Sequence, residues 1–115
     1  MLPRAHPATV LAYVWTWVAI RSARRGYEGG HQTVRVPKPP RLPEGARRGM
    51  LAALRRSGER CLVDARVRQA WEEAHGRERA LVIGVTAPST GFRAHAWLDG
   101  DPPCCSHGFS ELMRR

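Results

Sequence analysis

The chain has 115 residues and a mass of 12.9 kDa, with 43% hydrophobic and 25% charged side chains. This composition is ordinary for one small globular domain, whose modest core argues against the large internal cavity of a dinucleotide or haem fold. Lys and Arg number 19 against 10 Asp and Glu, a formal net charge of +9. Such a charge would attract a polyanion or an acidic peptide.

The cysteines and the first apolar run indicate where in the cell the protein is located. Cys104 and Cys105 are adjacent and the third cysteine is Cys61, so no paired disulfide framework is indicated, and we expect a reducing, cytoplasmic setting. The apolar run 8–20 is shorter than the roughly 20 residues that span a bilayer. Arginines follow it directly without a signal-peptidase pattern. We interpret it as a helix packed against protein, with peripheral membrane contact as the minority alternative.

Three segments make up the N-terminal half. The apolar spacing and the final arginines predict a helix over residues 7–25, ended by the glycines that begin at Gly26. Residues 37–45 (PKPPRLPEG) hold four prolines and predict an extended connector that divides the first helix from the rest. Residues 46–56 predict a short basic helix that ends at Ser57-Gly58.

A second helix is better marked, with Cys61 at or just inside its start and Gly76 as its stop. Its predicted inner face is Val63, Val67, Ala70, Trp71 and Ala74. Its predicted outer face is Asp64, Arg66, Arg68, Glu72 and Glu73.

Two strands follow this helix. Residues 80–86 (ALVIGVT) are typical of a buried strand, and 87–91 (APSTG) of a turn. Residues 92–98 (FRAHAWL) alternate, which predicts a second strand that ends in an Asp99-Gly100 turn. One face would carry Phe92, Ala94, Ala96 and Leu98, and the other Arg93, His95 and Trp97.

Cys61 and His95 are the candidates for catalysis. A thiol at a helix N-terminus beside Arg60 is favoured as the thiolate. A histidine among apolar neighbours in mid-strand could serve as its base. The alternative for Cys61 is a small buried hydrophobic residue, and for His95 a satisfied surface or core histidine.

These residues also resemble a known family. Cys61-Leu62-Val63, the strand ALVIGV and the segment FRAHAW are similar to the transglutaminase-like B protein of lasso peptide biosynthesis, in its split, stand-alone leader-peptidase form. The resemblance is strong over residues 61–98 and looser through the segment GFSEL that ends at Leu112. It implies a cysteine peptidase that removes the leader from a ribosomally made precursor, so that a cyclase can close the macrolactam ring.

The resemblance implies Cys61 as the nucleophile and His95 as the general base, with an aspartate on the following strand. We predict Asp101 for this third role, ahead of Asp99. If Asp99-Gly100 is a two-residue turn, however, Leu98 pairs with Asp101 and His95 faces Cys104, with no carboxylate opposite the imidazole. A backbone carbonyl or Glu111 could then orient the ring.

The remaining polar clusters carry weaker signals. Cys104, Cys105 and His107 suggest zinc, but adjacent cysteines rarely serve one tetrahedral ion, so we expect neither a metal nor a cofactor. The arginines of 46–56 could follow phosphates, or could be a solvated face. No nucleic-acid motif supports the first reading, and we expect no nucleic-acid partner. The alternative to an enzyme is a non-catalytic basic module for nucleic acid or an acidic leader peptide.

The predicted fold is therefore α+β, of the papain/transglutaminase-like cysteine peptidase kind. We expect an N-terminal helical segment (1–36), a connector (37–45) and a peptidase core (46–115) within one structural domain. The expected partners are the lasso precursor, a separate winged-helix leader-binding protein and the lasso cyclase. We also expect Trp15 and Trp17 to contribute to a docking surface, for that partner or for the body of the domain.

Overall fold

The structure is a computed structural model that describes residues 6–30, 34–58, 61–85, 94–101 and 109–114. It separates into two compact units, Met1–Glu59 and Arg60–Arg115. The first contains helix α1 (Pro7–Glu28), a 3-10 turn (Glu44–Ala46) and helix α2 (Arg47–Ser57). The second contains helix α3 (Cys61–Ala74) and strands β1 (Leu81–Val85), β2 (Ala94–Leu98) and β3 (Ser110–Arg114). The division follows α2.

Helix α1 begins with a side-chain cap and has one buried face. The Ala8 amide donates to His6 Nδ1 at 3.1 Å, and Pro7 occupies the first turn, where its missing N–H costs no hydrogen bond. The buried residues recur every three or four positions: Ala8, Ala12, Trp15, Thr16, Ala19, Ile20 and Ala23. None of the helices in the described residues is long and apolar enough to cross a membrane.

The predicted end of α1 at Gly26 is wrong, because the helix continues through Gly26 to Glu28. A Cβ at Gly26 would lie 2.8 Å from the Val34 side chain, so the missing side chain here permits close approach and does not end the helix. Gly29 supplies the cap, and its amide donates to the Arg25 carbonyl at 3.0 Å.

Helices α1 and α2 pack closely at one glycine. A Cβ built on Gly49 of α2 would lie 2.1 Å from the carbonyl oxygen of Thr9 in α1. Only a residue without a side chain allows the two backbones this distance. The buried residues of α2 are Gly49, Met50, Ala53 and Leu54. As predicted, the helix ends at Ser57, and Gly58 has a φ of +61°.

The proline-rich segment lies against α1. Trp15 Nε1 donates to the Pro37 carbonyl at 2.9 Å, and Ser22 Oγ donates to the Arg35 carbonyl at 3.3 Å. Trp15 is thus buried inside the first unit, whereas Trp17 remains 39% exposed. The two tryptophans that we expected in one docking surface therefore lie in different environments.

The described residues of the second unit form, besides α3, a three-stranded antiparallel sheet with β1 at its centre, in the order β2-β1-β3. The alternation predicted for β2 is confirmed in the described part of the strand, with Ala96 and Leu98 buried and His95 and Trp97 half-buried. The buried face of the sheet joins α3 in one hydrophobic cluster, of Ala65, Leu81, Ala96 and Leu98 with Cys61, Leu62 and Ile83 packed against it. The architecture is α+β, as predicted.

Helix α3 begins at Cys61, as its spacing predicted, but Glu72 departs from the predicted polar face. Glu72 was placed on the outer face and is 1% exposed. Its carboxylate accepts a hydrogen bond from Arg77 Nε, and its carbonyl accepts the Arg77 amide at 2.8 Å. The turn after the helix thus places the Arg77 guanidinium beside the Glu72 carboxylate. This pairing offsets the cost of burying the Glu72 charge.

Candidate active site

The Cys61 thiol lies at the start of α3, where the helix meets the sheet. The residue is half-buried, and its Sγ accepts a hydrogen bond from the backbone N–H of Ala96 at 3.3 Å. The nitrogen of Ala96 belongs to the peptide bond that follows His95. The structure therefore brings the thiol beside the backbone of the strand that carries the candidate base.

Within the described residues β2 is an edge strand, and two groups accept hydrogen bonds from N–H groups along its open side. Alternate residues of a strand direct their N–H groups to the same side. Ala96 donates to Cys61 Sγ, and Leu98 donates to Asp101 Oδ2 at 2.9 Å. The thiol and the carboxylate thus satisfy successive N–H groups that would otherwise be open to pairing with another strand.

The His95 ring lies on the other face of the sheet, since its neighbour Ala96 belongs to the buried cluster. Its centroid is 5.9 Å from the Trp97 ring and 5.2 Å from the Phe109 ring. Within the described residues, Cys61 Sγ and the His95 imidazole share no direct hydrogen bond. The thiol contacts the β2 backbone next to His95, whereas the imidazole packs against the Trp97 and Phe109 rings.

Asp101 is almost fully covered, with 7% of its side chain exposed. Its oxygens accept from Arg68 Nη1 and Nη2 at 3.1 Å each, from Arg79 Nη2 at 2.6 Å and from the Leu98 amide. Burial acts to raise the pKa of Asp101, but the hydrogen bonds from Arg68, Leu98 and Arg79 outweigh it and hold that pKa below its usual value. None of these contacts is with His95.

Arg68 joins two carboxylates. Its Nε donates to Asp64 at 2.8 Å within α3, and its other nitrogens reach Asp101. Burial acts to lower the pKa of Arg68, but hydrogen bonds to Asp101 and Asp64 raise it above the usual value. The sequence placed Arg68 on the outer face of α3. The Asp64 spacing of four residues was a readable signal for one ion pair, but nothing local indicated Asp101.

Two further carboxylates were candidates for orienting the imidazole. Asp99 is 61% exposed at its side chain and pairs with Arg114 at 3.3 Å. Glu111 lies on β3 opposite Gly84, and Gly84 on β1 lies opposite His95. Directly opposite residues share a face. His95 and Glu111 therefore flank a position without a side chain, while Glu111 also accepts from Arg114 Nη2 at 2.6 Å.

Comparison with known proteins gives this arrangement a family. The family model of the transglutaminase-like superfamily matches residues 7–114, which is nearly the whole chain. The chain belongs to the transglutaminase-like superfamily. Members of this superfamily are generally cysteine peptidases or transferases. Searches of curated proteins and of solved structures found no match.

In this transglutaminase-like chain, part of the predicted site lies outside the described residues. The turn at Asp99-Gly100 is confirmed, with a φ of +94° at Gly100 and the Asp101 amide donating to the Leu98 carbonyl at 3.0 Å. The structure does not describe four residues of the prediction: Arg60, Cys104, Cys105 and His107. The expected pairing of His95 with Cys104 therefore also lies outside the described residues. Within the described ranges, no group of three or more His, Cys, Asp or Glu could hold a metal ion.

Proposed function

We propose that this transglutaminase-like chain is a cysteine peptidase in which Cys61 is the nucleophile and His95 the general base. The observation that carries the proposal is the contact between Cys61 Sγ and the Ala96 N–H at 3.3 Å. It brings a thiol on the first turn of a helix to the strand residue that follows the only described histidine of the sheet. The thiolate is the form of a cysteine that attacks a carbonyl carbon, so the thiol needs a base within reach.

Peptide-bond cleavage by Cys61 and His95 requires the His95 ring to move, after which each bond and proton is accounted for. The imidazole, which lies on the face of the sheet opposite the buried cluster, leaves the Trp97 and Phe109 rings, reaches the sulfur at the open side of β2 and accepts the thiol proton. The thiolate forms a bond to the scissile carbonyl carbon, and the C–N bond breaks as His95 returns the proton to the leaving amine. Water, deprotonated by His95, then attacks the thioester, and the S–C bond breaks to release the carboxylate and the thiol.

We propose the leader segment of a lasso precursor peptide as the substrate. The support is the set of motifs that resemble the stand-alone leader peptidase of that pathway, the Cys61 helix start and the His95-Ala96-Trp97 strand. The proposed partners are a separate winged-helix leader-binding protein and the cyclase that acts on the trimmed precursor. A precursor gene, a leader-binding gene and an asparagine-synthetase-like gene beside this one would support the pathway.

The test is co-expression with those neighbouring genes, followed by mass spectrometry of the precursor. We expect leader removal with the wild-type chain, and none with Cys61→Ala or His95→Ala, because nucleophile and base act as one unit. Cys105→Ala is the matched control, which removes a different thiol. Circular dichroism of each variant checks the fold. Full removal of the leader by a folded Cys61→Ala variant would contradict the peptidase assignment.

Thiol chemistry separates the peptidase from a basic binding module. The pH profile of Cys61 alkylation by iodoacetamide, read by peptide mapping, should change in His95→Ala if the imidazole accepts the thiol proton. An identical profile in wild type and variant, together with tight, salt-sensitive binding of DNA, would support the binding module instead.

A further inference from the structure

Helix α1 carries an exposed apolar face opposite its buried one. Its members are between 39% and 54% exposed, and we call them the outer stripe: Val10, Leu11, Val14, Trp17 and Val18. Their spacing repeats every three or four residues, which is the pattern of a helix face that packs against protein. The helix already buries a second apolar face in its own unit. The outer stripe is therefore a contiguous apolar surface beyond what the fold requires.

A groove adjoins each end of the outer stripe. The groove at its N-terminal end, between α1 and α2, has a volume of about 660 Å³ and is lined by Val10, Tyr13, Leu51, Arg48, Arg55 and Arg56 among others. The groove at its C-terminal end has a volume of about 450 Å³ and is lined by Val14, Trp17, Val18, Ile20, Arg21 and Arg24. Both grooves combine an apolar floor with arginines.

The positive charge of the protein is concentrated in this unit. Residues 1–59 contain eleven Lys and Arg against three Asp and Glu, a formal charge of +8, whereas residues 60–115 contain eight against seven, a charge of +1. Arg48 and Arg55 are exposed. Within the described residues, no carboxylate pairs with either. The larger groove thus presents cations that can receive carboxylates from a ligand.

Tyr13 lies between the larger groove and the outer stripe. Tyr13 Oη accepts a hydrogen bond from Arg56 Nη1 at 3.4 Å. The Tyr13 ring also meets the Trp17 ring edge-on, with centroids 6.3 Å apart. Tyr13 therefore links an arginine of the larger groove to the outer stripe, so that polar and apolar contacts are offered side by side.

We propose that the outer stripe and its two grooves dock an acidic amphipathic peptide segment of a partner protein. The apolar face of the segment would cover the stripe, and its carboxylates would meet the arginines of the grooves. A second copy of this chain is a poor occupant, because each copy would bring a charge of +8 to the contact. A lipid surface fits less well, because a flat interface fills no groove. The proposal is independent of the chemistry at Cys61.

The test uses the full chain and a fluorescent synthetic peptide with leucine on one helix face and glutamate on the other. Fluorescence anisotropy should show binding that weakens as salt rises. Arg48→Glu combined with Arg55→Glu should weaken binding at least tenfold, because both cations become repulsive. Leu11→Ala combined with Val14→Ala should weaken it similarly at all salt concentrations. These side chains are exposed, so the variants should keep the wild-type circular dichroism spectrum.

Arg41→Glu is the matched control, because Arg41 is exposed in the same unit but lines neither groove. Its binding should stay within about twofold of wild type. A peptide with lysine in place of glutamate should not bind. Equal weakening by Arg41→Glu, or equal binding of the lysine peptide, would overturn the docking site. Binding to anionic phosphatidylserine vesicles without binding to the glutamate peptide would overturn it in favour of a membrane surface.

Discussion

The guanidinium of Arg68 on α3 and the carboxylate of Asp101 after β2 form a two-pronged ion pair, with both N–O distances at 3.1 Å. Arg79 adds a third hydrogen bond at 2.6 Å, from the segment that enters β1. One carboxylate thus ties the helix that carries Cys61 to two strands of the sheet. We infer that the pair keeps the start of α3 aligned with the edge of β2.

The first prediction is that Asp101→Asn lowers the free energy of unfolding by about 1–3 kcal/mol at neutral pH, because it leaves two largely buried arginines without their shared charge. The folded-state pKa of Asp101 is depressed. Its contribution is therefore complete above the unfolded-state pKa of about 3.9 and is lost as pH falls through the folded-state value. Urea unfolding of both proteins between pH 7 and pH 3 should show the difference shrink in acid.

Asp99→Asn is the control for this prediction. Asp99 is mostly exposed, and its ion pair with Arg114 should contribute less than about 1 kcal/mol. The same pair of variants tests the catalytic role predicted for Asp101. Loss of peptidase activity in Asp101→Asn with unchanged stability would assign Asp101 to the imidazole and contradict the anchoring role inferred here.

Local patterns predicted much of the fold because helix and strand periods are local. The spacing of apolar residues gave the start of α3 at Cys61 and the alternation of β2, and both are observed. Glu72 broke the pattern because its partner, Arg77, lies beyond the helix end. The predicted helix end at Gly26 was wrong for a similar reason, because the role of Gly26 depends on Val34, a residue outside the helix.

The candidate site was less accessible to sequence reasoning, because it depends on pairing between distant segments. The sequence predicted the adjacent strands β1 and β2 as a pair, and they do pair, but it did not predict that β3 pairs with the other edge of β1. In that topology Glu111 and His95 lie on opposite sides of Gly84. Arg68, distant in sequence, donates a hydrogen bond to Asp101. Neither relationship has a signature within one helix or strand.

The second prediction concerns the close approach of α1 and α2. Gly49→Ala should destabilise the protein by about 1–3 kcal/mol, because the new methyl group meets a backbone carbonyl that cannot move aside alone. Alanine is otherwise the better helix former by about 1 kcal/mol, so the sign of the change isolates the collision. Thermal unfolding measures it.

The control for Gly49 is Gly45→Ala, because a Cβ at Gly45 meets nothing within 4 Å. That variant should be neutral or slightly stabilising. Gly49→Ala unfolding at or above the wild-type temperature would show that the two helices do not approach as described.

The third prediction separates the two tryptophans of α1. Trp15→Phe removes the donor to the Pro37 carbonyl and part of a buried ring, and should cost about 1–3 kcal/mol. Trp17→Phe, on the exposed side, should cost less than about 0.5 kcal/mol. Chemical denaturation followed by far-UV circular dichroism compares them. Equal losses would mean that Trp17 is as buried as Trp15.

The last prediction concerns the group that orients His95. His95 and Glu111 share a face of the sheet on opposite sides of Gly84. Strands lie about 4.8 Å apart, so the Cα atoms of the two residues are separated by roughly 10 Å across a bare glycine, a gap that their side chains can bridge. The contacts of Asp101, in contrast, are to Arg68, Arg79 and the Leu98 amide. Glu111 is therefore the better-placed carboxylate.

We expect Glu111→Gln to lower the kcat of leader cleavage at least tenfold with little change in KM, because the imidazolium loses a carboxylate that fixes its tautomer and charge. Glu111 is 47% exposed at its side chain, so the free energy of unfolding should hardly change. Glu73→Gln, an exposed carboxylate on α3, is the matched control and should cleave at the wild-type rate. If Glu111→Gln also cleaves at that rate while Asp101→Asn and Asp99→Asn remain active, a backbone carbonyl must hold His95, and the site operates as a Cys61–His95 dyad.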